Sequence, residues 1–151
     1  MRDNGRGGPQ RELIRERLRR MLLRQQGNYT RYLNLMEKER SSIAASDMEK
    51  LLCQIESEKG IIAEIQALNR VILPLERLYG EVCSAVEDEI RTLLASLVEM
   101  GERLREENTR NRRDLEAKME ELGRRIAGLR APPRPRPAYG EIIPRLIDTE
   151  A

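Results

Sequence analysis

YLNLMEKERSSIAASDMEKLLCQIESEKGIIAEI, residues 32–65, reads as two amphipathic helices joined by a tight reversal at Ala45, Ser46 and Asp47. On the first side apolar residues recur at Tyr29, Tyr32, Met36 and Ile43, and on the second at Met48, Leu51, Leu52, Ile55, Ile62 and Ile65. Steps of three and four keep such side chains on one helical face. Ser46 and Asp47 suit a helix N-cap, because a short side-chain oxygen can take the unpaired N–H groups of the following turn. Helix, cap and second helix with a matching apolar face make an αα-hairpin.

Composition agrees with this reading and excludes much else. The 151 residues are 36% charged, and the only aromatics are four tyrosines. Leu, Ile, Met, Ala, Glu and Arg dominate, as in long helices that bury a narrow seam. With no histidine there is no imidazole base and no usual zinc ligand. Gly5 to Gly8 lack the strand and the Lys-Ser/Thr ending of a phosphate-binding loop. Glu56 and Glu58 are expected on helix surfaces, where ion pairing and solvation account for them. No catalytic residue, metal site or cofactor is therefore expected, and the chain does not read as an enzyme. Cys53 and Cys83 fall in different helices and read as reduced core thiols. A net charge of +2 argues against a dedicated nucleic-acid binder. No segment reaches the ~20 apolar residues of a membrane span, so no stable membrane insertion is expected.

The chain divides into a leader without periodicity (1–10), a helical domain (11–130), a Pro-rich linker (131–138) and a short apolar tail (139–151). The first helix should begin between Pro9 and Leu13 and use Ile14, Leu18, Met21 and Leu22 before reaching Tyr29. Gly27 and Asn28 weaken it midway by on the order of 1 kcal/mol. Nine arginines precede Tyr32. They form either a solvated face or a surface for anionic lipid or nucleic acid. The second helix should run from Asp47 to Leu73, or to Tyr79 if it passes Pro74, with Gly80 ending it. The third spans Glu81 to Arg130, with Val82, Val86, Ile90, Leu93, Leu97, Met100 and Leu104 on one stripe. Ten polar residues, REENTRNRRD from Arg105 to Asp114, then put Asn108 and Asn111 on the seam. The stripe resumes at Leu115, Met119, Leu122, Ile126 and Leu129. The expected fold is an all-α, elongated, antiparallel three-helix bundle: the hairpin plus one long last helix.

Helix lengths point to a surface. At ~1.5 Å per residue the second helix is about 40–50 Å long and the third about 75 Å. Counting about 27 to 33 residues up from Glu81 brings the third helix level with the hairpin tip near residues 108 to 114. Leu115 to Leu129 then has an apolar stripe and no hairpin left to cover it, the mark of a partner site. A fold-back onto the hairpin, or pairing with a second copy of the chain as a homodimer, would cover it equally. Gly123 and Gly128 weaken this end of the helix, which suits ordering on binding.

Three features resemble the FlgN-type flagellar export chaperones. Leu35-x-x-x-Glu39 running into Ala44-Ala45-Ser46-Asp47 is similar to that family's first-helix end and hairpin turn. Leu51 through Glu58-Lys59 to Ile65 is similar to its second helix, and Glu107-Asn108-x-x-Asn111 to its Asn-x-x-Asn segment. Arg112, Arg113 and Asp114 depart from the leucine-rich stretch that often follows. The resemblance implies a cytosolic protein that binds the C-terminal helices of hook–filament junction (hook-associated) proteins, prevents their premature assembly and delivers them to a membrane protein of the export gate. It places substrate binding in the C-terminal region, on Asn108, Asn111, Leu115, Met119, Leu122, Ile126 and Leu129, with the asparagines either fixing register or solvated at the hairpin tip. Tyr139, Ile142, Ile143, Leu146 and Ile147 form a candidate docking tail. The alternative reading is a coiled-coil structural adaptor or a regulator of the export ATPase.

Overall fold

The structure, a computed structural model, describes residues 7–129. The Pro-rich segment 131–138 and the tail carrying Tyr139, Ile142, Ile143, Leu146 and Ile147 lie outside the described residues. Three helices account for nearly all of the rest: α1 (Gly7–Ala44), α2 (Met48–Val82) and α3 (Asp88–Gly128). Among the described residues there is no strand. α1 starts at Gly7, so residues 7–10 of the expected leader are helical. Pro9 sits in the first turn, where its missing N–H has no helical partner to lose.

The reversal at Ala45–Asp47 is built as expected, with the capping roles divided. Asp47 caps α2, its side chain accepting from the Lys50 N–H at 3.1 Å. Ser46 instead closes α1. It adopts a left-handed φ of 56°, and the N–H groups of Ser46 and Asp47 donate to the carbonyls of Ile43 and Ser42 at 3.1 and 2.9 Å. This is the Schellman arrangement, which satisfies the last carbonyls of a helix and usually has glycine at the left-handed position.

From Ile14 to Ile43, α1 packs against both other helices. Its buried stripe steps Leu18, Leu22, Gln25, Tyr32, Met36, Glu39 and Ile43. Apolar clusters alternate with polar layers along it. Leu18 and Leu22 meet Leu68, Ile72, Leu75 and Tyr79 of α2 and Ile90 and Leu93 of α3. Next, Gln25 donates to Asn69 Oδ1 at 2.7 Å and to the Ile65 carbonyl at 3.0 Å, and takes a bond from Asn28 at 3.1 Å. This network lies where Gly27 and Asn28 were expected to weaken the first helix, and α1 continues through it. Tyr32 and Met36 then meet Ile61, Ile62 and Leu104. At the hairpin tip Ile43 meets Leu51, Ile55 and Leu115.

Pro74 does not stop α2, which continues to Val82 with Gly80 inside it. Pro74 and Arg70 are both exposed, so the Arg70 carbonyl left without an N–H partner is open to water. Burial of Ile72, Leu75 and Tyr79 on the opposite face offsets the ~3 kcal/mol that an interior proline costs. Gly80 has no positive φ, and the helix ends instead at an extended Cys83. Val86 lies in the connection, 42% exposed. The Tyr79 hydroxyl accepts the Glu87 N–H at 2.9 Å and pins this connection to the core. α3 consequently begins at Asp88 rather than Glu81, with Asp88 and Glu89 favourably placed in its first turn. Both cysteines are free; Cys83 is half-buried, whereas Cys53 is exposed on the outer face of α2 and not in the core.

Candidate functional site at the distal end of the third helix

The late start of α3 shifts its register on the hairpin. The tip lies level with Leu115 and Met119, not with residues 108 to 114. Leu115 is 7% exposed and packed on Ile43, Leu51 and Ile55, with Met48 and Met119 at the edge of that cluster. α3 then runs on past the tip. Leu122 is half-covered, while Ile126 and Leu129 are 51% and 79% exposed. The helix is unbroken through Asn111 and on to Gly128. Pairs between Arg112 and Glu116, Arg124 and Glu120, and Arg125 and Glu121 line it at 3.2, 3.6 and 2.7 Å. Each such pair adds only about 0.3–0.5 kcal/mol, but all have the i,i+4 spacing that supports an isolated helix.

Of the predicted binding residues, the structure therefore leaves Ile126 and Leu129 exposed and Leu122 half-covered, and folds Leu115 and Met119 back onto the tip. The two asparagines do not share the overhang. Asn108 is half-buried. Asn111 is buried, and its side-chain amide donates to the Met36 carbonyl of α1 at 2.9 Å.

Asn111 belongs to a polar layer that joins all three helices just below the tip. Glu39 from α1 and Glu58 from α2 are 4% and 0% exposed. Glu58 was expected on a helix surface, as Glu56 is; instead it accepts the Tyr32 hydroxyl at 2.6 Å. Burial pushes the Glu39 carboxyl up to about 9; the neighbouring Glu58 carboxyl adds to this, and Asn111 opposes it. Near neutral pH Glu39 thus keeps its proton and can donate it toward Glu58. Asn111 Oδ1 is buried without a hydrogen-bond partner among the described residues. Beside the layer Arg40 pairs with Glu107, again tying α1 to α3. The three sequence features singled out above (the first-helix Glu39, Glu58 of the second helix and Asn111 of the last) thus converge on one site. Above it Ser42 donates to Gln54 Oε1 at 2.8 Å.

The arginine-rich face of α1 is partly used internally. Arg15 reaches Glu87 at 3.2 Å and Arg19 reaches Glu89 at 2.6 Å, holding the start of α3, and Arg31 reaches Glu64 of α2 at 2.9 Å. An open groove of about 300 Å³ runs between α2 and α3 over Leu22 and Tyr29, with Ile72, Glu76, Leu97 and Glu102 on its walls. Partial burial raises the Glu76 carboxyl and the Tyr29 phenol above their usual values. No group of three or more His, Cys, Asp or Glu side chains is placed to hold a metal among the described residues. No helix among them is long and apolar enough to cross a membrane.

Comparison with known proteins adds a family to this geometry. The family model described as FlgN protein matches residues 14–141. An uncharacterized protein of Treponema pallidum (strain Nichols) is 27% identical over 116 residues, which cover 77% of this chain and 75% of the relative. No solved structure matches. The family match takes in nearly all of α1 and the whole of α2 and α3, including every residue of the buried polar layer and of the overhang. On that extent the chain belongs to the FlgN family of flagellar export chaperones.

Proposed function

We propose that this protein is a cytosolic chaperone for hook-associated proteins, holding their C-terminal helices on the distal end of α3 until export. The observation that carries the reading is the overhang. α3 is buried as far as Leu115 and then runs on past the tip, with Leu122 half-covered and Ile126 and, at the helix end, Leu129 exposed on the same stripe. An amphipathic helix laid on that stripe would bury each of these side chains for roughly 1.5–3 kcal/mol. Association itself costs about 4–15 kcal/mol. The balance favours a complex that forms and lets go, as a carrier requires. In the same reading the tail residues Tyr139, Ile142, Ile143, Leu146 and Ile147 dock at the export gate; a chain ending at Arg130 then binds its cargo normally but fails to support secretion.

The test is co-purification of the whole chain with the C-terminal segments of hook-associated proteins, repeated with Leu122→Asp and Ile126→Asp. Stoichiometric capture that both substitutions abolish, with helicity unchanged, supports the assignment. Absence of capture by the wild-type chain defeats it. If the wild-type chain runs as a dimer that the same substitutions dissolve, the stripe is a self-association surface and the proposed site is wrong.

A further inference from the structure

The uncovered part of the stripe is short. Residues 122–129 make about two turns, ~12 Å of helix, whereas 115–129 make about four turns and ~22 Å. Leu115 and Met119, which would double the face, are held on the hairpin tip by the small cluster around Ile43, Leu51 and Ile55. What separates that cluster from the larger one around Tyr32 and Met36 is the polar layer of Glu39, Glu58 and Asn111.

We propose that this layer is a releasable clasp, which keeps the distal part of α3 on the tip in the free protein and, on opening, lends Leu115 and Met119 to the docking face for an amphipathic partner helix. The proposal rests on the docking role of α3 argued above and adds its regulation. Three features of the layer support it. Its contacts are polar in an otherwise apolar seam, so water can replace them as it cannot replace the Leu18–Ile90 packing. They are incompletely satisfied, since Asn111 Oδ1 lacks a partner among the described residues and would gain one on hydration. Opening also bares Ile43, Leu51 and Ile55 on the tip, an apolar cost that holds the free protein closed. An incoming amphipathic helix removes that cost by covering both faces at once.

The clasp also carries a proton. The groups facing Glu39 are Glu58 from α2 and Asn111 from α3, with the Tyr32 hydroxyl of α1 bonded to Glu58. The neighbouring charges Arg40 of α1 and Glu107 of α3 pair with each other. Closed, the Glu39 carboxyl holds its proton up to about pH 9; open and hydrated, it ionises at ordinary carboxylate values. Between those limits the closed form binds one more proton, and opening becomes up to about tenfold more favourable for each pH unit gained.

Amide hydrogen exchange of the full chain without any partner tests this, so the outcome does not depend on which cargo is bound. After correction for the intrinsic pH dependence of exchange, protection over residues 107–119 should fall up to about a hundredfold from pH 6 to pH 8. Residues 90–104 should change less. Glu39→Gln keeps a donor toward Glu58 but cannot ionise, and it should flatten that slope and leave 107–119 more protected at pH 8; Glu58→Gln should also flatten it. A wild-type slope that matches residues 90–104, or a slope that survives both substitutions, overturns the clasp. A flat profile with intact cargo capture refutes the clasp alone, and a steep profile without capture refutes only the docking role.

Discussion

Glu39→Gln should also change the stability of the whole protein, with a definite sign. In the unfolded chain Glu39 is an ordinary carboxyl near 4.5, whereas in the native protein burial and Glu58 raise it to about 9. For a group with a raised native value the native state binds more protons between those limits. Its contribution to stability is complete below pH ~4.5 and is lost as pH rises toward 9. One proton corresponds to about 1.4 kcal/mol per pH unit, so up to about 2.7 kcal/mol should disappear between pH 6 and pH 8. The Glu76 carboxyl, also raised by burial, contributes in the same direction. Glutamine at position 39 preserves the shape and one hydrogen-bond donor while removing the titration. The variant should match wild type near pH 5, lose most of the decline, and exceed wild type by a few kcal/mol at pH 8. Urea unfolding followed by helical circular dichroism from pH 5 to 8.5, with m held common, measures both chains. Wild-type stability that is flat or rising between pH 6 and 8 would refute the reasoning, as would an unchanged slope in Glu39→Gln.

Other perturbations test other joints of the fold. Ser46→Gly should stabilise the protein by about 0.5–1 kcal/mol, since relief of the left-handed strain exceeds the extra freedom glycine gives the unfolded chain; a lower urea midpoint would contradict the Schellman closure of α1. Pro74→Ala should add about 1–2 kcal/mol by restoring a helix hydrogen bond inside α2, and a loss of stability would show that the proline is needed where it stands. Leu115→Ala should cost about 2–4 kcal/mol, whereas Ile126→Ala should change stability by less than about 0.5 kcal/mol. Equal effects in thermal or urea melts would mean that the hairpin tip does not divide α3 between these residues.

The three-helix, all-α fold was legible because its signals are local. Steps of three and four recur on both sides of a turn whose Asp47 offers a cap, and each can be read within a window of about a dozen residues. Helix lengths likewise imply an overhang, but the tip meets α3 at Leu115 and Met119, about one to two turns later than those lengths suggest. Pro74 and Gly80 are strong breakers in isolation, and only the burial of Ile72, Leu75 and Tyr79 against another helix overrides them. Each residue that α2 gains beyond Leu73 delays α3, and the delay moves Leu115 from the partner face to the core.

The buried carboxyls were illegible for a different reason. A glutamate among arginines and lysines reads as surface because an isolated buried charge is prohibitively costly. What makes Glu39 and Glu58 tolerable is that they meet each other, share a proton and find Tyr32 and Asn111. No single helix contains that information. One trace was nevertheless present. The α1 seam steps through Leu18, Leu22, Gln25, Tyr29, Tyr32, Met36, Glu39 and Ile43 in an unbroken alternation of four and three. Read by phase rather than by hydrophobicity, that alternation places Gln25 and Glu39 inside the bundle, and it requires partners for them on the facing helices. Glu58 and Asn111 are polar residues at seam positions of exactly those helices, so the same phase argument that finds an apolar core also finds the clasp.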